Sequence, residues 1–205
     1  MKQKRDKVFI WVTWLTGLIS GDKQCEYASW FRAHFQYDKA PSDFNLVRWN
    51  IKHNQLVHKR RDELEKKGYK VKLEDQNSFK LVLPKGITVS GKADIIAVKS
   101  LALKAIVDDC KTGRPKNSDQ VQVMLYMIFF PACIEEYKDV AFDGEVVYTD
   151  DVIRIHSTDI DSGLKEVVWD LIRRIGDEKP CRKVPSCGEC DWCDISKEDC
   201  PERIE

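Results

Sequence analysis

Neither sign of charge predominates in this sequence. Lysine plus arginine and aspartate plus glutamate number 34 each, so no bulk field steers the chain toward an anionic or a cationic partner. A nucleic-acid-binding surface would have to come from local segregation of charge. Internal repeats and low-complexity stretches are absent, as is a Walker-type phosphate loop, so the chain carries no nucleotide-driven motor of its own. No hydrophobic run is long enough to span a bilayer. Residues 8–19 are apolar behind a basic start (Lys2, Lys4, Arg5), which resembles a secretion signal, but Gly21-Asp22-Lys23-Gln24 is a poor cleavage site. The expectation is a core helix in a cytoplasmic protein without a membrane partner.

What is present belongs to a globular chain, with 42% hydrophobic and 10% aromatic residues in a length of 205. A single domain is expected, in three parts. Residues 1–68 read as helical, with a segment from Cys25 to Phe35 and a long helix capped by Ser42 and stopped at Gly68. Residues 69–178 read as the core. Strands are expected at 69–74, 79–83, 93–98 and 104–109, with a connection at Ser100, a helix over 119–130 ended by Pro131, a hairpin over 144–156, and a helix over 162–175. Residues 179–205 form a cysteine-rich tail without periodicity. Helices first and a mixed sheet with inserted helices afterwards indicate an α/β fold.

Two segments carry chemistry. In Gly91-Lys92-Ala93-Asp94-Ile95-Ile96 and Ile106-Val107-Asp108-Asp109-Cys110-Lys111, acidic residues sit in or beside apolar strands, where an unpaired carboxylate is costly to bury. Asp109 and Lys111 are two apart and share a strand face, while Asp108 points to the other. If the two strands pair, Asp94 and Asp109 converge, and their repulsion calls for a divalent cation; hard oxygen donors favour Mg2+ or Mn2+. A lysine beside such a pair suits phosphodiester hydrolysis.

Five of the eight cysteines (Cys181, Cys187, Cys190, Cys193, Cys200) lie in the tail, a clustering that reads as metal ligation. A four-cysteine zinc site is one reading. A bacterial-ferredoxin arrangement is another, although the last gap is too long for it.

The order Gly-x-x-Asp, Asp-x-Lys-Thr-Gly, then Gln122-x-x-x-Tyr126 on one helical face, resembles the RecB-like branch of the PD-(D/E)XK nucleases, over nearly the whole chain. The resemblance implies a restriction-endonuclease-like mixed sheet flanked by helices. It also implies Asp94, Asp109, Lys111, Gln122 and Tyr126 as catalytic residues, and a metal held by Asp94, Asp109, an upstream helical histidine and the carbonyl of Cys110. His58 is taken as that histidine. In the cluster-bearing branch, AddB-like proteins and CRISPR-associated exonucleases, one early cysteine joins three late ones around a 4Fe–4S cluster. That implies Cys25, Cys190, Cys193 and Cys200 as ligands, a small subdomain built from the two chain ends, and Cys187 as a spare or alternate ligand. The activity so implied is metal-dependent DNA cleavage, most simply by an exonuclease on single strands or ends. Such an enzyme would act in repair, recombination or CRISPR spacer acquisition, beside a helicase or CRISPR adaptation proteins. The alternative is a non-catalytic DNA-binding scaffold with the same fold and a structural zinc or iron–sulfur site.

Overall fold

A computed structural model describes residues 2–40, 44–99 and 104–204. In chain order, the first part forms β1 (Gln3–Lys4), β2 (Phe9–Trp11), α1 (Thr13–Ile19), α2 (Glu26–His34), β3 (Phe35–Gln36) and α3 (Leu46–Lys66). Next come β4 (Lys70–Leu73), β5 (Ser78–Val82), β6 (Thr88–Lys92), β7 (Ile95–Lys99), β8 (Lys104–Lys111) and α4 (Asn117–Cys133). The chain continues through β9 (Ala141–Tyr148), β10 (Val152–Ile155), α5 (Ser162–Gly176) and the short α6 (Cys187–Cys190).

The central sheet has the order β10-β9-β8-β7-β4. It is mixed: β8 and β9 run parallel and the other neighbours antiparallel. Because β8 and β9 are parallel, the chain must cross over between them, and α4 is that crossover. A second sheet, β2-β6-β5, packs on the far side of α4, and β1 pairs with β3. The result is a mixed α/β fold with helices on both faces of the central sheet.

Strand periodicity decides which side chains meet which helix. Ile96, Val107 and Val146 join the main core beside Leu125, Phe129 and Phe130 of α4. Ile95, Ala97, Cys110 and Val147 form a smaller cluster with Leu56, Val57 and Leu64 of α3. Each such large apolar side chain stabilises the fold by roughly 1.5–3 kcal/mol on burial. The α4 contact is close enough to require glycine at one point. A Cβ on Gly144 would lie 2.3 Å from Val123 Cγ1, which no packed methyl tolerates.

Several expectations need correction. Residues 8–19 are not one helix: Phe9–Trp11 is a strand, parallel to Thr88–Ser90, and helix begins only at Thr13. The β-branched and aromatic run finds a ladder partner in β6, itself unforeseen from the sequence. Pro131 does not end α4, which continues to Cys133; a proline in the last turns removes a single amide donor. The long helix is capped by Asn45, whose side chain accepts from the Arg48 amide at 2.9 Å. Ser42, the expected cap, and the connection at Ser100 lie outside the described residues. Gly68, with φ of +80°, follows the end of α3. Among the described residues no helix is long and apolar enough to cross a membrane.

Candidate active site and cysteine cavity

The antiparallel register of β7 and β8 sets Ile95 opposite Asp108, so Asp94, just before β7, comes level with Asp109. The Cys110 amide donates to Asp94 Oδ2 at 2.7 Å, fixing one carboxylate to the strand that bears the other. Asp109 is 2% exposed and lies on the α4 face. Its Oδ1 accepts from Gln122 Nε2 at 2.8 Å, and Lys111 Nζ lies 2.6 Å from its Oδ2. The same ammonium donates to Gln122 Oε1 at 3.0 Å, so the amide of Gln122 bridges the acid and the base. Gln122 is held in turn by Tyr126, one helical turn along α4 at 2.9 Å, whose hydroxyl donates to the Lys92 carbonyl at 2.7 Å. Gly91 makes room for this ring, since a Cβ there would approach Phe79 to 2.7 Å and Tyr126 to 3.1 Å. The structure therefore brings Asp94, Asp109, Lys111, Gln122 and Tyr126 to one place.

Burial pushes the Asp109 carboxyl up, and Asp94 adds to the push against the pull of Lys111. Burial works to lower the Lys111 ammonium, but Asp109 and Asp94 outweigh it and hold that charge above its ordinary range. Asp108 faces the other way. It is fully buried against Arg60 of α3 at 2.6 Å, and burial still carries its carboxyl up to about 7. Arg60 also pairs with Glu145.

The histidine of the site is not the one expected. His58 lies on the exposed side of α3, where its Nδ1 meets Arg61 Nη1 at 3.1 Å. His53 is the histidine at the carboxylates: its Nε2 is 3.4 Å from Asp94 Oδ1, its ring is buried, and its Nδ1 has no hydrogen-bond partner. Five residues turn a helix by about 140°, so the two histidines cannot serve one site. The signal for His53 was in the sequence. Positions 53, 56, 57, 60 and 64 mark the buried stripe of α3, and position 58 is off it. Asp94 raises the His53 imidazole above its ordinary value by hydrogen bonding, against the effect of burial. We expect His53→Ala to weaken binding of Mn2+ about tenfold or more, the equivalent of about 1.4 kcal/mol, and His58→Ala to leave it unchanged. Titration of each variant with Mn2+ decides between them.

Among the described residues no three histidine, cysteine or acidic side chains are grouped to hold a metal ion as they stand. The oxygens are engaged: Asp109 by Lys111 and Gln122, Asp94 by the Cys110 amide and His53. The donor chemistry nevertheless suits a hard cation. A second carboxylate, half-buried Asp94, stands by the buried Asp109 and opposes its ionisation, with an imidazole nitrogen beside them. The Cys110 thiol turns away into the apolar cluster under α3, where burial and nearby carboxylates push it far up.

The cysteines of the two chain ends meet elsewhere. One cavity is lined by Cys25, Cys190, Cys193 and Cys200, together with Lys23, Tyr27, Lys183 and Arg203. Cys187 is exposed at the start of α6 and does not line it. All eight cysteines are free thiols, so no disulfide occupies the tail. The ends are tied by other means. Glu189 accepts from the amides of Gln24 (2.8 Å) and Cys25 (3.2 Å), and Arg32 pairs with Asp194 at 2.7 Å. Tyr27, Trp30, Phe31 and Ile195 form a separate apolar cluster against which Cys25, Cys193 and Cys200 pack. Four cysteines lining one cavity are by their chemistry a donor set that suits a thiolate-bound metal or cluster, although among the described residues they are not drawn together as a metal site as they stand. Cys110, Cys133 and Cys181 are not among its lining residues.

No family model matches the sequence, and no curated protein matches it. Among solved structures, the crystal structure of SSO0001 is similar over 99% of this chain and 90% of its own, at 16% identity and a TM-score of 0.49. A likeness of that degree carries no argument about function.

Proposed function

We propose that the protein is a metal-dependent DNA nuclease of the RecB-like type, its sheet and helices being a version of the restriction-endonuclease-like fold. The observation that carries this reading is the buried Asp109–Lys111 pair bridged by Gln122, with Asp94 and His53 beside it. Asp94, Asp109 and His53 would hold Mg2+ or Mn2+, which supplies neutralisation of phosphate charge and acidification of water when bound. The residues of the chain do the rest. Lys111 brings a fixed positive charge to the phosphate and orients the attacking water, and Gln122 holds that ammonium in place. Tyr126 keeps Gln122 from turning by anchoring it to the backbone of β6.

At the chain ends, Cys25, Cys190, Cys193 and Cys200 would hold a 4Fe–4S cluster, and the N- and C-terminal segments around them would form its subdomain. The cluster would act as a structural tie, because its cavity and the carboxylate site draw on different elements. The substrate is DNA, as single strands or ends, in the processing reactions of repair, recombination or CRISPR spacer acquisition, with a helicase or adaptation proteins as companions. A labelled single-stranded oligonucleotide should be degraded with Mn2+ and left intact with EDTA. Binding without degradation under every divalent ion tried would establish the non-catalytic scaffold instead.

A further inference from the structure

The start of α3 is joined to the carboxylate site through His53 and is unlike the rest of the helix. Residues 46–52 are exposed on all sides, yet they include Leu46, Val47, Trp49 and Ile51. Trp49 stacks on His53, the rings 4.7 Å apart and 13° from parallel, and Phe44 approaches the indole at 6.4 Å. Over a third of Trp49 (36%) remains open to solvent, so the indole covers the histidine on one side and still presents aromatic surface outward. Trp49 and His53 are four apart and form one row along the helix. Arg48 and Lys52 are also four apart and form an adjoining cationic row.

An aromatic row beside a cationic one is the combination that holds single-stranded nucleic acid. Bases stack on the rings whatever their identity, while the charges follow the phosphates. In a duplex the bases are already stacked on one another and their faces are closed to such a ring. We propose that Trp49 is a base-stacking residue: an unpaired base lies on the indole, Arg48 and Lys52 take the neighbouring phosphates, and the adjacent phosphodiester is delivered to Asp94 and Asp109. The inference rests on the nuclease reading and deepens it, by giving the site a preference for unpaired strands through a residue outside the carboxylate set.

The test is binding by the full-length protein in EDTA, read by fluorescence anisotropy, of a labelled thymidine oligonucleotide and of an abasic oligonucleotide of equal length and charge. Trp49→Ala should weaken binding of the first about tenfold, within the range a stacked base contributes, and leave the second unchanged. Trp49→Phe should restore most of the loss. Equal weakening of both oligonucleotides would reduce Trp49 to a structural role, and no weakening of either would remove it from binding. A dimer that Trp49→Ala converts to monomer, with oligonucleotide binding unaltered, would assign this face to a second copy of the chain. Each of these three outcomes overturns the proposal. Failure of the nuclease reading is separable: stacking preference without divalent-dependent cleavage removes only that reading, and cleavage without the preference removes only Trp49.

Discussion

Asp109→Asn should lower DNA cleavage by at least roughly 10³-fold, about 4 kcal/mol of transition-state stabilisation, while the protein stays folded. The amide keeps the size of the carboxyl group and can still meet Gln122, but it lacks the negative charge that would bind a cation tightly and that forms the ion pair with Lys111. The same substitution should flatten the fall in thermal midpoint between acid and neutral pH measured without metal. Burial and Asp94 hold the Asp109 pKa above its unfolded value, so the folded state favours the protonated form. Stability is therefore lost as pH rises from the unfolded toward the folded pKa, a loss asparagine cannot show, although it also takes from Lys111 the carboxylate that holds its charge. Asp108→Asn is the matched control. Arg60 keeps Glu145 and Glu63 as partners, and Asp108 has no contact with Lys111, so activity should stay within about threefold of wild type, a change under about 0.7 kcal/mol. Loss of activity in Asp108→Asn with retention in Asp109→Asn would move the catalytic acid to the other face of β8 and overturn the site as drawn.

The second large effect is on the chain ends. Protein purified without oxidation should be brown, with broad visible absorption from sulfur-to-iron charge transfer. Cys25→Ser, Cys190→Ser, Cys193→Ser and Cys200→Ser should each abolish that absorption, because each removes one thiolate from the cavity. Cys187→Ser should retain it, since Cys187 is exposed and off the cavity. Loss of the tie should also lower stability, by at most about 5 kcal/mol for so long a loop. The Arg32–Asp194 pair and the Glu189 bonds to residues 24 and 25 survive the substitution and keep part of the constraint. Colour lost in Cys187→Ser and kept in Cys25→Ser would place the ligands in the tail alone. Colourless protein with one zinc per chain would replace the cluster by zinc and leave the carboxylate site untouched.

The legible parts of this molecule are those governed by a short period. Asp109 and Lys111 share a face because strand side chains alternate, and Gln122 and Tyr126 meet because four residues make about one helical turn. Strands β7 to β10 announced themselves through β-branched runs between turn residues. Three things were harder to read. Residues 9–11 are apolar and aromatic in a way that suits helix or strand equally, and only the distant ladder with Thr88–Ser90 decides between them. The choice between His53 and His58 depends on the phase of α3, and charged neighbours made His58 conspicuous while the buried stripe passed through His53. Which cysteines face the cavity is likewise a tertiary matter, since Cys187 and Cys190 are equivalent in spacing and differ in the turn of α6 that separates them.

The bond from Glu189 to the Gln24 amide spans 165 residues of chain. At a synthesis rate of about 5–20 residues per second, the ribosome needs on the order of ten to thirty seconds to traverse that interval. Throughout it Tyr27, Trp30 and Phe31 have been made, but Ile195, which completes their cluster, has not. During that interval α2 can pack on β2 and α1, which precede it, but the aromatic face it turns to Ile195 stays without its cover. Closure of this cluster is therefore a late event, which waits on the tail whatever the state of the central sheet.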